Sequence, residues 1–284
     1  MKPFAIAGVT GNTGKAAALE LLRLHQPVRV LVRNAGKAKS WAEAGAEVVE
    51  TDFSDAGSLT RGLQGARGAY LINPPNHAHP DPLQAAHEQG LVLAQAIRDS
   101  GLPHAVVLSS VGGHLASGTG IVESTYRVEQ ALQGLPVTFL RASYFAENWA
   151  PLIPLARQQQ ILPSMLQPLD KAIPMIATQD IGLEAARILL AENPPKVVEL
   201  QGPSASPAQV AEWLSALLGH PVNAVPNPRD QWEQQLLAAG ASPRGAELVA
   251  GLQDALNANR FVFEYPEQVR TAATPVESVL KQLV

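Results

Sequence analysis

The chain has 284 residues, no cysteine and a formal net charge of −4. That length buries a sizeable core without metal or disulfide staples, and the lack of cysteine excludes disulfides, thiol catalysis and cysteine-ligated zinc. Mild acidity without a Lys/Arg block removes the electrostatic case for nucleic acid or an anionic membrane, so a small-molecule partner is expected.

No apolar run reaches membrane-span length, and the opening MKPFAIAGVTGNTG breaks its apolar stretch too soon for a signal-peptide core. A cytoplasmic location is the expectation. In chain order, strand-length apolar runs fall near Phe4 to Gly8, Val28 to Val32, Glu47 to Thr51, Ala69 to Asn73, Ala105 to Ser109 and Val137 to Arg141. Helical patterns fill the gaps, most clearly at Gly14 to Leu24, Leu83 to Ser100 and Val122 to Leu132. Such alternation predicts an α/β fold, a Rossmann doubly wound parallel sheet with crossover helices.

Beyond Arg141 the alternation weakens, and the proline-rich PLIPLARQQQILPSMLQPLDKAIPMI shows no clear period, as a segment leaving the sheet to wrap a cleft would. A helix at Asp180 to Leu190 and a strand at Val197 to Leu200 are predicted to rejoin the core. Pro207 to Leu218, Gln231 to Ala239 and Glu247 to Leu256 read as helices of a smaller α+β lobe. The expected division is a nucleotide-binding domain over 1–150 and a substrate lobe over 151–284, with about 178–201 returning to the core.

The first predicted strand runs into GVTGNTGKAAALELL, with Gly8, Gly11 and Gly14 three apart at the start of a helix. Glycine there permits a tight turn, a close pyrophosphate and close helix packing, while the free N–H groups at the helix start face the phosphates, which makes Thr10, Gly11, Asn12, Thr13 and Gly14 candidate cofactor-binding residues. A P-loop is excluded, because Val9 and Ala16 stand where that motif needs glycine and Ser or Thr. No Asp or Glu occurs from Leu21 to Ala42, whereas Arg33 ends the second strand with Asn34, Lys37 and Lys39 just beyond. An acid would accept from the ribose and an Arg would pair with a 2′-phosphate, so NADP(H) is the expected cofactor. After the third strand, Asp52 either accepts from the adenine amino group or caps the next helix, and Phe53 packs on the ring.

The glycine loop, Arg33, LINPP, LSSVGG, VEQAL and FLRASYFAENW occur in this order. With them the chain resembles the NmrA-like group of atypical short-chain dehydrogenases, nearest its bacterial quinone and triphenylmethane dye reductases. The resemblance implies a Rossmann core, a small C-terminal substrate lobe, and NADP(H) held by the glycine loop and Arg33. That group holds both reductases and cofactor-binding redox sensors. Two departures stand out. Arg141 is followed by Ala142 and Ser143 where several reductases have Asn, and no Lys occurs between Lys39 and Lys171.

The second departure bears on STYRVEQ, where Tyr126 would have a Lys four residues on in a Tyr-Lys proton relay but has Gln130. Without that cation the phenol can orient a carbonyl but is a poor proton shuttle. Ligands bind outside the carboxyl ends of the strands, so the loops at Asn73 to Asn76, Ser109 to Gly113 and Ser143 to Asn148 are the expected walls. Pro74 and Pro75 would stiffen the loop beside the nicotinamide ribose, where Asn73 and Pro74 are the expected cofactor contacts. Ser109 and Ser110 bond cofactor or substrate, or simply end the strand. Tyr144 and Phe145 form an aromatic wall or pack in the core, and Asn148 anchors a polar group or bonds locally. His77, His79, Asp81 and His87 read as a polar loop rather than a metal site, and Ser109 with His114 lacks the nucleophile-elbow pattern of a hydrolase.

Together these features predict an NADPH-dependent reductase that transfers hydride directly to quinone-like or other conjugated acceptors, without metal or flavin. The alternative is an NADP(H)-binding sensor acting through a protein partner. A monomer or a homodimer fits either.

Overall fold

The computed structural model describes residues 1–284. The first half builds β1 (Phe4–Ile6), α1 (Asn12–Arg23), β2 (Val28–Val32), α2 (Lys39–Glu43), β3 (Glu47–Glu50), α3 (Ala56–Leu63), β4 (Gly68–Leu71), α4 (Pro82–Asp99), β5 (Ala105–Ser110), α5 (Glu123–Ala131) and β6 (Val137–Ala142). Then come β7 (Tyr144–Phe145), a 3-10 segment (Ala146–Leu152), α6 (Ile153–Gln159), β8 (Ile161–Ser164), β9 (Ile173–Ile176), α7 (Thr178–Leu190) and β10 (Val197–Gln201). The chain ends with β11 (Ser204–Ala205), α8 (Pro207–Leu218), β12 (Asn223–Pro226), α9 (Trp232–Ala238), α10 (Pro243–Asn257), β13 (Arg270–Thr271) and α11 (Val276–Leu283).

The main sheet runs β13-β10-β6-β5-β4-β1-β2-β3, with every neighbouring pair parallel. Successive strand residues point to opposite faces. Phe4, Ile6, Val30 and Tyr70 therefore join the core under α1 and α7, while Ala5, Ala7, Leu31 and Leu71 join the core under α3, α4 and α5. Both faces are covered, which is why these strands read as nearly continuous apolar runs. Strand order reverses between β1 and β4, and a doubly wound sheet opens its ligand crevice at such a point.

α7 lies so close to α1 that a side-chain carbon on Gly182 would stand 2.6 Å from the Thr13 carbonyl oxygen. A third core joins Trp149, Ile153, Leu162, Met175, Val210, Leu214 and Val279 in the C-terminal lobe. Its α8 starts on a capping box, the Ser206 hydroxyl accepting from the Gln209 N–H and the Gln209 side chain accepting from the Ser206 N–H, and ends at Gly219 with φ 75°.

The stretch predicted to lack regular structure carries α6, β8 and β9, each only four to seven residues long. Pieces so short, interrupted by Pro154, Pro163, Pro168 and Pro174, show no period in sequence. β13, an edge strand of two residues, is likewise invisible. α11 goes beyond the predicted elements, with Val276, Val279 and Leu280 buried at helical spacing.

Candidate cofactor and substrate site

The glycine loop joins β1 to α1 at the switch point. Gly8 has φ +70°, and a side-chain carbon there would stand 2.4 Å from Ile72 Cδ1. On Gly14 the same carbon would stand 2.3 Å from the Ala7 carbonyl oxygen, so α1 must meet β1 with no side chain between them. Gly11 closes the turn by donating to the Gly8 carbonyl at 2.9 Å and caps α1 with no side-chain bond. The N–H groups of Asn12, Thr13 and Gly14 have no acceptor in the chain. Thr10, Gly11 and Asn12 are exposed, while Thr13 and Gly14 are buried. This is an open cradle with the positive end of a helix dipole behind it, the chemistry a pyrophosphate requires.

Arg33 follows β2, exposed and in no salt bridge, and close enough to Asp52 to help lower its pKa. Asn34 accepts from the Gly36 N–H at 2.9 Å, which shapes the turn after it. Glu50, at the end of β3, accepts from the Ala35 N–H at 3.0 Å. It brings to this turn the acid that the segment itself lacks, a placement set by strand register rather than sequence. Asp52 does not cap α3; Asp55 does, accepting from the Ser58 N–H at 2.6 Å. The Asp52 carboxylate accepts instead from the Ser54 hydroxyl and N–H, and these two bonds hold it below the usual carboxylate range. Phe53 is half-buried against the core under α3 and α4, and its carbonyl accepts from Gln89 at 2.8 Å.

Past β4, Asn73 is half-buried and Pro74 exposed. The rest of this loop is tied to the start of α10, where Ser242 donates its N–H to the His77 carbonyl at 2.9 Å and its hydroxyl to the His79 carbonyl at 2.6 Å. Asp81 caps α4 by accepting from Leu83 and Gln84. No three His, Asp or Glu side chains gather as metal ligands would.

At the ends of β5 and β6 the structure holds something the sequence concealed. Ser109, Arg141 and Glu199 are aligned across β5, β6 and β10 in one register row. All three are buried, as is Glu129 on α5. Ser109 donates to Glu129 at 2.6 Å, and Arg141 forks onto both Glu129 oxygens at 2.9 and 2.7 Å. Arg141 also pairs with Glu264, and its guanidinium lies 3.9 Å from Glu199. Burial works against the guanidinium's charge, but Glu129 and Glu264 outweigh it and raise its pKa above the usual value. Ser109 is thus engaged from behind by Glu129, and Ser110, half-buried, donates to the Val111 carbonyl at 3.0 Å.

Tyr126 is half-buried on α5, and Gln130 is exposed and bonded to Gln133. Tyr144 and Phe145 are half-buried in β7, with Tyr144 against the C-terminal core and Phe145 against the core under α1 and α7. Burial pushes the Tyr144 phenol up to about 12, with Asn148 beside it as a partial offset. Asn148 itself is exposed on the 3-10 segment. The next residue on that segment, Trp149, is buried and donates to Met175 sulfur at 3.3 Å.

A Rossmann sheet with an open N–H cradle after β1 and an unpaired Arg after β2 is the frame of a nucleotide-dependent short-chain dehydrogenase relative. The chain belongs to the NmrA-like family, whose model matches residues 2–266. It is 26% identical to NAD(P)H azoreductase of Xenophilus azovorans over 261 residues, covering 89% of this chain and 84% of that protein. Quinone oxidoreductase 2 of Escherichia coli is 28% identical over 211 residues, covering 71% of this chain and 69% of that protein. Among solved structures, Citrobacter sp. triphenylmethane reductase complexed with NADP(H) superposes with a TM-score of 0.81 at 21% identity, covering 99% of this chain and all of that one.

Proposed function

We propose that the chain is an NADPH-dependent reductase of quinone-like or other conjugated small-molecule acceptors. The observation that carries the reading is the open N–H cradle at Asn12 to Gly14 together with an unpaired Arg33, in a chain that has Gln130 rather than Lys four residues after Tyr126. Relatives named as azoreductase and quinone oxidoreductase support it.

NADPH would supply a hydride to the acceptor. α1 and the glycine loop hold the pyrophosphate, Arg33 the 2′-phosphate, Asp52 and Phe53 the adenosine end, and Asn73 and Pro74 the nicotinamide side, while Ser109, its hydroxyl bonded to Glu129, keeps the strand-ending role. Tyr144 and Phe145 press a planar acceptor into place, with Ser110 and Asn148 as polar anchors. Tyr126 orients the acceptor's oxygen. A quinone's product oxyanion is delocalised and weakly basic, so water can protonate it, and the missing lysine becomes a statement about substrate class.

Replacing Tyr144 by Ala tests the reading. The expected result is a raised KM or lowered kcat for quinones with NADPH affinity nearly intact, since only the acceptor wall is lost. A parallel loss of NADPH affinity would place Tyr144 outside the acceptor pocket.

A further inference from the structure

Residues 260–265, between α10 and β13, form a strap over the carboxyl ends of β5, β6 and β10. Its fastening is on two charged points. The Glu199 carboxylate accepts the N–H groups of Glu264 at 3.0 Å and Tyr265 at 2.8 Å, one on each oxygen. The Glu264 side chain pairs with Arg141, whose guanidinium is anchored by Glu129. Burial pushes Glu264 up, but its bonds to Arg141 outweigh this and hold it below the usual carboxylate range. Fastened in this way, the strap brings the edge of the Phe261 ring to Gly112. That glycine has φ +82°, and a side-chain carbon there would stand 2.9 Å from Phe261 Cδ1. The next residue, Gly113, turns just as closely over Ser109: a side-chain carbon on Gly113 would stand 2.7 Å from the Ser109 hydroxyl oxygen.

From this arrangement we infer that Phe261 is a further acceptor-binding and specificity residue, and that Glu264 positions it through Arg141. The inference rests on the reductase reading above. Ligands of this fold lie outside the carboxyl ends of the strands, which is where the strap crosses. A flat conjugated acceptor is gripped best between two apolar surfaces. Tyr144 and Phe145 follow β6, and Phe261 lies over the turn after β5, held there by ionic contacts rather than by deep burial, since it is only half-buried.

The test uses 2-methyl-1,4-naphthoquinone as probe, measuring its affinity for the NADP⁺-loaded protein and its KM and kcat with NADPH. Phe261→Ala should weaken probe affinity and raise KM by about fivefold or more, with NADPH affinity held within about twofold. Phe261→Leu, which keeps apolar bulk, should recover part of the loss. Glu264→Ala should shift the same constants in the same direction, and combining it with Phe261→Ala should add little, because the two act as one unit. Unchanged probe affinity and KM in both Phe261 variants, with only thermal stability lowered, would overturn the inference and leave the reductase reading standing. A parent protein that binds NADPH but neither binds nor reduces the probe would instead sink the reductase reading, and this inference with it.

Discussion

Arg33 leads into the turn that would decide which cofactor is taken, and Glu50 is bonded to that turn's Ala35. The guanidinium is exposed without an ion pair, while the carboxylate accepts from the Ala35 N–H. The cation is therefore the group left to act on a ligand, and under the proposed function it would select for a 2′-phosphate. Arg33→Ala should weaken NADPH binding by about ten- to a hundredfold and NADH binding far less, as read by titration of each cofactor. Equal binding of the two cofactors by the parent protein would remove this role from Arg33. Tyr126 raises the opposite expectation. With Gln130 exposed and turned to Gln133, nothing at that position supplies the relay's cation. Tyr126→Phe should leave quinone turnover within about tenfold of the parent, below the usual loss for a committed general acid. A thousandfold fall at unchanged cofactor affinity would reveal a proton donor activated by other means.

Among the elements, α1 and α7 show how the second half of the chain controls the first. Gly182 sits where α7 crosses the opening turn of α1, and a methyl group there would stand 2.4 Å from Ala16 Cβ and 2.6 Å from the Thr13 carbonyl oxygen. Gly182→Ala should push the phosphate cradle out of place and raise the Kd for NADPH more than the KM for the acceptor, read by cofactor titration beside steady-state kinetics. The glycine loop and the alternating strands were legible because each is a local signal: a turn that only glycine fits, and a period. Asp55 displaced Asp52 as the cap of α3 because both precede the helix and only geometry ranks them. The row of Ser109, Arg141 and Glu199 was illegible because its members meet through strand register, and Glu129 reaches them from a helix. Phe261 and Glu264 lie in a stretch without period whose role depends on where it crosses the sheet.

For the molecule as a whole, the sheet, the lobe and the strap converge on one end. α10 is tied to the loop after β4 through Ser242, and Asn257, its last residue, bonds the Met165 carbonyl and the Gln167 N–H. The strap then returns to Arg141 and Glu199, and β13 closes the sheet edge beside β10. A buried guanidinium facing several carboxylates is weak as a source of net stability, and removing one partner from such a cluster is far more damaging than never having had it. Its value here is geometric: it ties α5, the end of β6 and the strap into one frame. A sensor would need the same cofactor cradle but no open acceptor pocket, and its affinity for a protein partner would follow the cofactor's oxidation state. The measurement that separates them follows NADPH consumption and acceptor reduction together, on one sample of confirmed NADPH affinity, across a panel of quinones and conjugated dyes. Stoichiometric, saturable oxidation of NADPH by at least one planar acceptor, with NADH a poorer donor, is the expected result; tight NADPH binding with oxidation at the buffer rate for every acceptor would contradict it.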